Sequence, residues 1–208
     1  MKNEMEMISF SSYLKENANG VLYIFDIDDT LFKTHARVNV IDADGKVVHS
    51  LKSKDFGDYK LLPGQHYEYS EFKDSDKFDR TSRPIKKMLN KVKDLQKEIE
   101  GTKSRIIFVT ARSDFDDKDK FLKVFRKRKI DIDKIHIYRS GNDPADISNA
   151  DKKAKVIRKQ LKSGIYTKAD MYDDKMDNLE AFKGLHKEFP DISFGAYQVF
   201  HNGTYKQV

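Results

Sequence analysis

Residues 21–32 read VLYIFDIDDTLF, and the reading of this stretch decides the fold. Five apolar residues run without a break into Asp26, Asp28 and Asp29, with Thr30 behind them. Continuous hydrophobicity of this length is the pattern of a strand buried on both faces, as in the middle of a parallel sheet. Acids gathered at the tip of such a strand repel one another, and each raises its neighbours' pKa unless a cation neutralises them.

Working outward, the same pattern returns. RIIFVT (105–110), KIHIY (134–138), YTKADMY (166–172) and ISFGAYQVF (192–200) read as further strands, the last taken as the end of the fold. Between them lie helical stretches at about 85–99, 116–129, 150–163 and 175–188, and a short leading helix is expected over 7–18. In the first of these Ile85, Met88, Leu89, Val92, Leu95 and Ile99 share one stripe, with Pro84 near the start and Gly101 past the end. Strands alternating with helices imply parallel crossovers, hence an α/β fold of three layers with a mostly parallel sheet between helices. The segment 33–82 differs in character. ARVNVIDADGKVVHSL predicts a β-hairpin turning at Asp42–Gly45, and HYEYSEFKDSDKFDR (66–80) has few periodic apolar positions.

Composition limits the classes that remain. The 208 residues contain no cysteine, so disulfides and thiolate zinc sites are excluded. No stretch approaches the ~20 apolar residues of a membrane span, and the N-terminus lacks a signal-peptide core, so a cytoplasmic protein without a membrane partner is expected. Net charge is +6, which favours the approach of anionic substrates. Basic residues concentrate in 118–129 and 151–162, where inward-facing Phe121, Leu122, Val124, Phe125, Ile157 and Leu161 predict solvated helix faces. DFDDKD (114–119) lacks the glycine of a calcium loop and reads as helix-start acids. No phosphate-binding Gly-x-x-x-x-Gly-Lys-Ser/Thr occurs.

In a parallel sheet the site lies at the carboxyl ends of the strands. Four polar clusters converge there: Asp26 to Thr30, Thr110 to Arg112, Asp173 and Asp174 with Asp177 and Asn178 a turn later, and the lysines opening the helix near 151. Oxygen ligands without histidine point to Mg²⁺. Lys152, Lys153 and Lys155 all lie close. Lys153 falls four and eight residues before Ile157 and Leu161, so it shares their inward face.

Asp-x-Asp-x-Thr after a hydrophobic strand, then a strand ending in threonine, a lysine, and Asp-Asp is an order that resembles the haloacid dehalogenase (HAD) superfamily over residues 21–200. It looks like the phosphatase-like members of tailed phages and, more distantly, the phosphatase domain of phage polynucleotide kinase. The resemblance implies a Rossmann-like HAD core of residues 1–32 and 83–208, with a small cap inserted at 33–82. It also implies a phosphatase acting through an aspartyl-phosphate. Asp26 would be the nucleophile and Asp28 the general acid and base. Mg²⁺ would be held by Asp26, the Asp28 carbonyl and Asp173, with Asp174 as the second acid of that motif and Asp177 as its alternative. Thr110 and Lys153 would grip the phosphoryl oxygens, and Thr30 would brace the loop.

The expected substrate is a phosphorylated small molecule, a nucleotide or a nucleic-acid 3′-phosphate end. A non-catalytic nucleic-acid or protein-binding module retaining a metal site is the alternative, and a phosphotransferase a third reading. Arg112 is left as a substrate contact or a surface ion-pair partner. His35 is placed near the mouth of the site. Tyr59, His66, Tyr67, Tyr69 and Phe72 serve either as stacking surface or as the insertion's own core.

Overall fold

The computed structural model describes residues 19–52 and 59–208; the helix expected over 7–18 lies outside them. The chain runs β1 (Gly20–Phe25), β2 (Phe32–Lys33), β3 (Arg37–Ile41), β4 (Val47–Lys52), β5 (His66–Glu68), α1 (Ser70–Lys73), α2 (Ser75–Thr81) and β6 (Arg83–Pro84). It continues through α3 (Lys86–Glu98), β7 (Arg105–Thr110), α4 (Lys118–Arg126), β8 (His136–Arg139), α5 (Asn149–Leu161), β9 (Tyr166–Asp173), α6 (Met176–Gly184), β10 (Ser193–Val199) and β11 (Tyr205–Gln207).

Six strands form the main sheet in the order β11-β10-β9-β1-β7-β8. All neighbours are parallel except β11, which returns antiparallel to β10. Successive side chains point to opposite faces of a strand, and β1 divides accordingly. Leu22 and Ile24 pack with Ile157 and Leu161 of α5 and Leu179 and Phe182 of α6. Phe25 packs on the other face with Met88, Leu89, Val92 and Leu95 of α3 and Phe121, Val124 and Phe125 of α4. The fold is therefore mixed α/β, a mostly parallel sheet with helices on both faces. None of the described helices is long and apolar enough to cross a membrane.

The strand expected to finish the fold is followed by another. β10 stops at Val199, and a turn through Asn202 and Gly203 (φ +78°) leads into β11. Asn-Gly is a hairpin signal, but β11 is three exposed residues of little apolar character and carries no periodicity of its own. α4 also starts and ends inside its expected range, with Asp117 capping it by accepting from the Lys120 amide at 2.9 Å.

Residues 33–82 leave and re-enter the core side by side, because Phe32 and Lys33 pair antiparallel with Pro84 and Arg83. Beyond that ribbon β4, β3 and β5 form a separate three-stranded sheet. The hairpin turn lies where the sequence places it, with Asp42 Oδ1 accepting from the amides of Asp44 and Lys46 and Gly45 at φ +79°. The polar stretch 66–80 is more ordered than its lack of periodicity suggests. Asp74 caps α2 by accepting from the Lys77 amide at 2.7 Å. The Ser75 hydroxyl donates to Asp116 Oδ1 at 2.6 Å, tying α2 to the start of α4. Phe78 lies in the main core against Phe32 and Phe121.

Phe32 thus joins the root of the insertion to the core: it is fully buried, with the rings of Phe78 and Phe125 each 5.2 Å away. Phe32→Ala should cost about 3–5 kcal/mol, read as a lower urea midpoint with an unchanged slope.

Candidate active site

β1 and β9 are the switch point of the sheet: from β1 the chain builds outward through β7 and β8, then returns to the other side of β1 for β9 and β10. A crevice opens at the carboxyl ends of the strands where order reverses in this way. Asp26 is still tied to the sheet, its amide donating to the Tyr172 carbonyl at 3.0 Å. The chain then turns sharply. The amides of Leu31 and Phe32 both donate to the Ile27 carbonyl at 3.0 Å, and Asp29 takes a left-handed conformation (φ 59°) that aspartate tolerates better than most residues. Ile27 and Leu31 are drawn into the core, which leaves Asp26 and Asp28 lining the crevice.

Asp173 ends β9 and Asp174 follows it, and Lys153 projects from the first turns of α5, whose Ser148 cap accepts from the Asp151 amide at 3.1 Å. Lys153 is 2% exposed, and its ammonium donates to Asp26 Oδ1 at 2.6 Å and Asp173 Oδ2 at 2.8 Å. Burial acts to discharge this lysine, but the two carboxylates outweigh it and raise its pKa above the ordinary value. Asp173 is fully enclosed, and its other oxygen accepts from Asn178 at 2.8 Å and from the Lys175 amide at 2.9 Å. Of the candidate lysines only Lys153 reaches the acids. Lys152 sits on the wall of the crevice, and Lys155 pairs with Asp143 at 2.7 Å. Asp177 is exposed on α6 and outside the cluster.

One oxygen each of Asp26, Asp173 and Asp174 lie within 4.8 Å of one another. Lys153 offsets a single charge in this trio. Burial drives the Asp26 carboxyl well above its ordinary pKa despite Lys153, and Asp173, Asp174 and Asp28 push it further. Burial and the Asp173 charge raise Asp174 to about 7. With all three carboxylates ionised, one ammonium leaves two negative charges without a partner, a deficit equal to the charge of a divalent cation. Carboxylate oxygens on a partly open wall also suit Mg²⁺ in kind.

Asp28 has a different environment. Arg112 Nε donates to its Oδ2 at 2.8 Å and Nη2 to its Oδ1 at 2.6 Å, a bidentate pair. Burial would raise the Asp28 pKa, but Arg112, with help from Thr34 and Lys153, brings it below the ordinary value. The sequence leaves Arg112 as a substrate contact or a surface partner. It is neither a surface residue nor a simple ion pair: it is buried, with Nη1 donating to the Phe72 carbonyl at 2.6 Å and Nη2 to Thr34 Oγ1 at 3.0 Å. The rings of Phe72 and Phe78 lie 4.9 Å from its guanidinium carbon and that of Phe115 5.4 Å. The available signal was an arginine directly after a buried strand, beside an acid cluster.

Thr110 is enclosed behind Asp28 and does not line the crevice; its hydroxyl donates to Asp28 Oδ2 at 3.5 Å and accepts from the Arg112 amide at 3.2 Å. The bracing expected of Thr30 falls instead to Asp29, whose Oδ1 accepts from the Thr34 amide at 3.2 Å. The buried Thr30 hydroxyl has no hydrogen-bond partner among the described residues. His35 is exposed and not on the crevice wall. The crevice holds about 590 Å³, with Tyr67, Tyr69 and Phe72 of the insertion on one side and Lys73, Lys152 and Lys175 among the other lining residues. Tyr59 and His66 do not line it; Tyr59 accepts through its carbonyl from the Tyr67 hydroxyl at 2.6 Å. Compared with known proteins, the chain matches no family model and no curated sequence.

Asp174 has an ordinary pKa of 3.8 and a folded one of about 7, so the metal-free folded protein binds its proton more tightly than the unfolded chain does. That contribution to stability is complete below the unfolded value and lost as pH rises through about 7. In chelator, Tm should therefore rise between about pH 8 and about pH 6, and Asp174→Asn should remove the part of the rise centred near pH 7.

Proposed function

We propose that this chain is a magnesium-dependent phosphomonoester hydrolase of the HAD type, working through a phosphorylated aspartate. The observation that carries the reading is the charge deficit of the trio Asp26, Asp173 and Asp174, of which Lys153 offsets one charge in three. The strand order supports it, since this trio and the Asp28–Arg112 pair flank the switch point of a parallel sheet.

Asp26, the Asp28 carbonyl, Asp173 and Asp174 would hold the ion, which when bound would polarise the phosphoryl group as a Lewis acid. The chain supplies the remaining roles. Asp26 has one oxygen on Lys153, which keeps the carboxylate oriented; its other oxygen is the attacking atom toward phosphorus. Lys153, fixed by Asp173, offsets negative charge that develops on the phosphoryl oxygens. Asp28, protonated when the ester binds, would give that proton to the leaving oxygen and regain one from the attacking water, so that the carboxyl is restored in each cycle. In the state seen here Arg112 holds Asp28 ionised, ready for the second of these steps. Thr110 acts through Asp28, by holding its Oδ2. Lys73, Lys152 and Lys175 around the crevice suit an anionic ester such as a nucleotide or a nucleic-acid end.

Purified protein should release phosphate from an aryl phosphate in Mg²⁺ and not in chelator. Asp26→Asn should lower this on the order of 10³-fold or more, as loss of a nucleophile does, with unchanged circular dichroism. Acid quench during turnover should trap protein-bound phosphate in the wild type and none in Asp26→Asn. Equal turnover by that variant, or turnover indifferent to chelator, would overturn the reading.

Asp28→Asn should separate substrates by leaving group. An aryl phosphate, whose leaving oxygen needs no proton, should lose much less of its phosphorylation step than an alkyl phosphate, measured by single-turnover kinetics.

A further inference from the structure

At the far end of the sheet, below the amino ends of β7 and β8, lies a second groove of about 1000 Å³. Its walls are the carboxyl half of α3, the loop 100–104, the segment between α4 and β8, and Gln160 near the end of α5. It shares no lining residue with the crevice that holds the acids.

The groove is strongly basic. Six cations line it against three acids, and Asp131, one of the three, is paired with Lys134 at 3.1 Å. Lys93, Lys97, Arg105 and Lys129 make no ion pair with any described residue. Lys129 closes the basic run 118–129, but other members of that run and of 151–162 behave differently. Lys120, Arg126 and Lys127 around α4, and Lys155 and Arg158 of α5, are each held by an acid. Cations at the ends of helices complement the helix dipole, which accounts for Lys97 and in part for Lys129. It does not account for Arg105 at the start of a strand or Lys93 within α3. Lys129 also occupies the left-handed conformation (φ 59°), where glycine is usual, so a basic side chain stands where the backbone favours none.

The floor supplies a second kind of surface. His136 and Tyr138 alternate along β8 and so lie on one face, their ring centres 4.2 Å apart. Free cations that track a backbone, beside aromatic rings on which bases stack, make up the recognition surface for unpaired nucleic acid. In a duplex the base faces are stacked and cannot reach such rings.

We infer that the groove between α3 and the amino ends of β7 and β8 binds single-stranded nucleic acid, with Lys93, Lys97, Arg105 and Lys129 on the phosphates and His136 and Tyr138 under the bases. This binding is separate from the chemistry proposed for the crevice and does not depend on it.

The test is fluorescence anisotropy of the full chain with a labelled oligo-dT of about twelve nucleotides, carrying no terminal phosphomonoester. Four phosphate contacts predict a slope of log affinity against log salt of about −3, or roughly a 50-fold loss between 50 and 200 mM salt. Lys97→Glu/Lys129→Glu should weaken binding at least about tenfold and flatten the slope. Lys46→Glu/Lys206→Glu makes the same change of net charge far from the groove and should leave most of the binding, as should Asp26→Asn. Both double variants alter exposed side chains, and circular dichroism verifies their folds. The inference is overturned by no binding at low salt, by equal loss in the two double variants, or by loss in Asp26→Asn, which would move the ligand to the crevice. It is also overturned if a duplex of the same length binds as tightly as the single strand.

Discussion

The ammonium of Lys153 between Asp26 and Asp173 is the contact around which the rest of the molecule is arranged. All three groups are almost wholly enclosed, where an unpaired charge is costly; removing one member of such a buried set typically costs about 3–5 kcal/mol. Three elements must therefore meet in fixed register: the end of β1, the end of β9 and the first turns of α5. The parallel pairing of β1 with β9 brings the two strand tips together, and the apolar stripe Ala154, Ile157 and Leu161 seats α5 so that Lys153 turns inward. The same enclosure that makes the lysine necessary makes it insufficient, since Asp174 adds a further charge on the open side. Stability and the proposed ion binding are thus two consequences of one arrangement.

Beside this centre stands a second, closed pair. Arg112 satisfies both oxygens of Asp28 and also reaches Thr34 at the beginning of the insertion and Phe72 near its end. A guanidinium forks in a plane and stacks on aromatic faces, which lysine cannot do, and its cage of Phe72, Phe78 and Phe115 uses both properties. The insertion and the Asp28 carboxylate are in this way fastened to one side chain.

How legible these features are in the sequence depends on how local their causes are. β1, β7 and β9 declare themselves because both faces of each are buried, and Lys153 because its spacing from Ile157 and Leu161 is set by its own helix. The gathering of Asp26, Asp28, Asp173 and Asp174 follows from strands that share a direction. The remainder depends on distant contacts. Arg112 lies 84 residues from Asp28, and nothing in its neighbourhood reveals that three phenylalanines will enclose it. α1 and α2 have no stripe to read; α2 is set by the Asp74 cap, the Ser75–Asp116 bond and the single anchor Phe78. Thr110 reads as a strand end facing the site, yet the turn at Asp28 places the acid in front of it. The basic groove is assembled from residues scattered between 90 and 160, and of the cations in the chain's two basic runs only Lys129, at the tip of one, reaches it.

The two-residue ribbon of β2 and β6 has one more consequence. Because the excursion from 33 to 82 starts and ends at neighbouring positions, the distance it must bridge is fixed and short whatever its length. Loop-closure entropy grows only with the logarithm of length. This part of the chain is therefore the place where evolution, or an engineer, can exchange one module for another and remodel what surrounds the acids, provided that Thr34, Phe72 and Phe78 keep their contacts with Arg112 and the core.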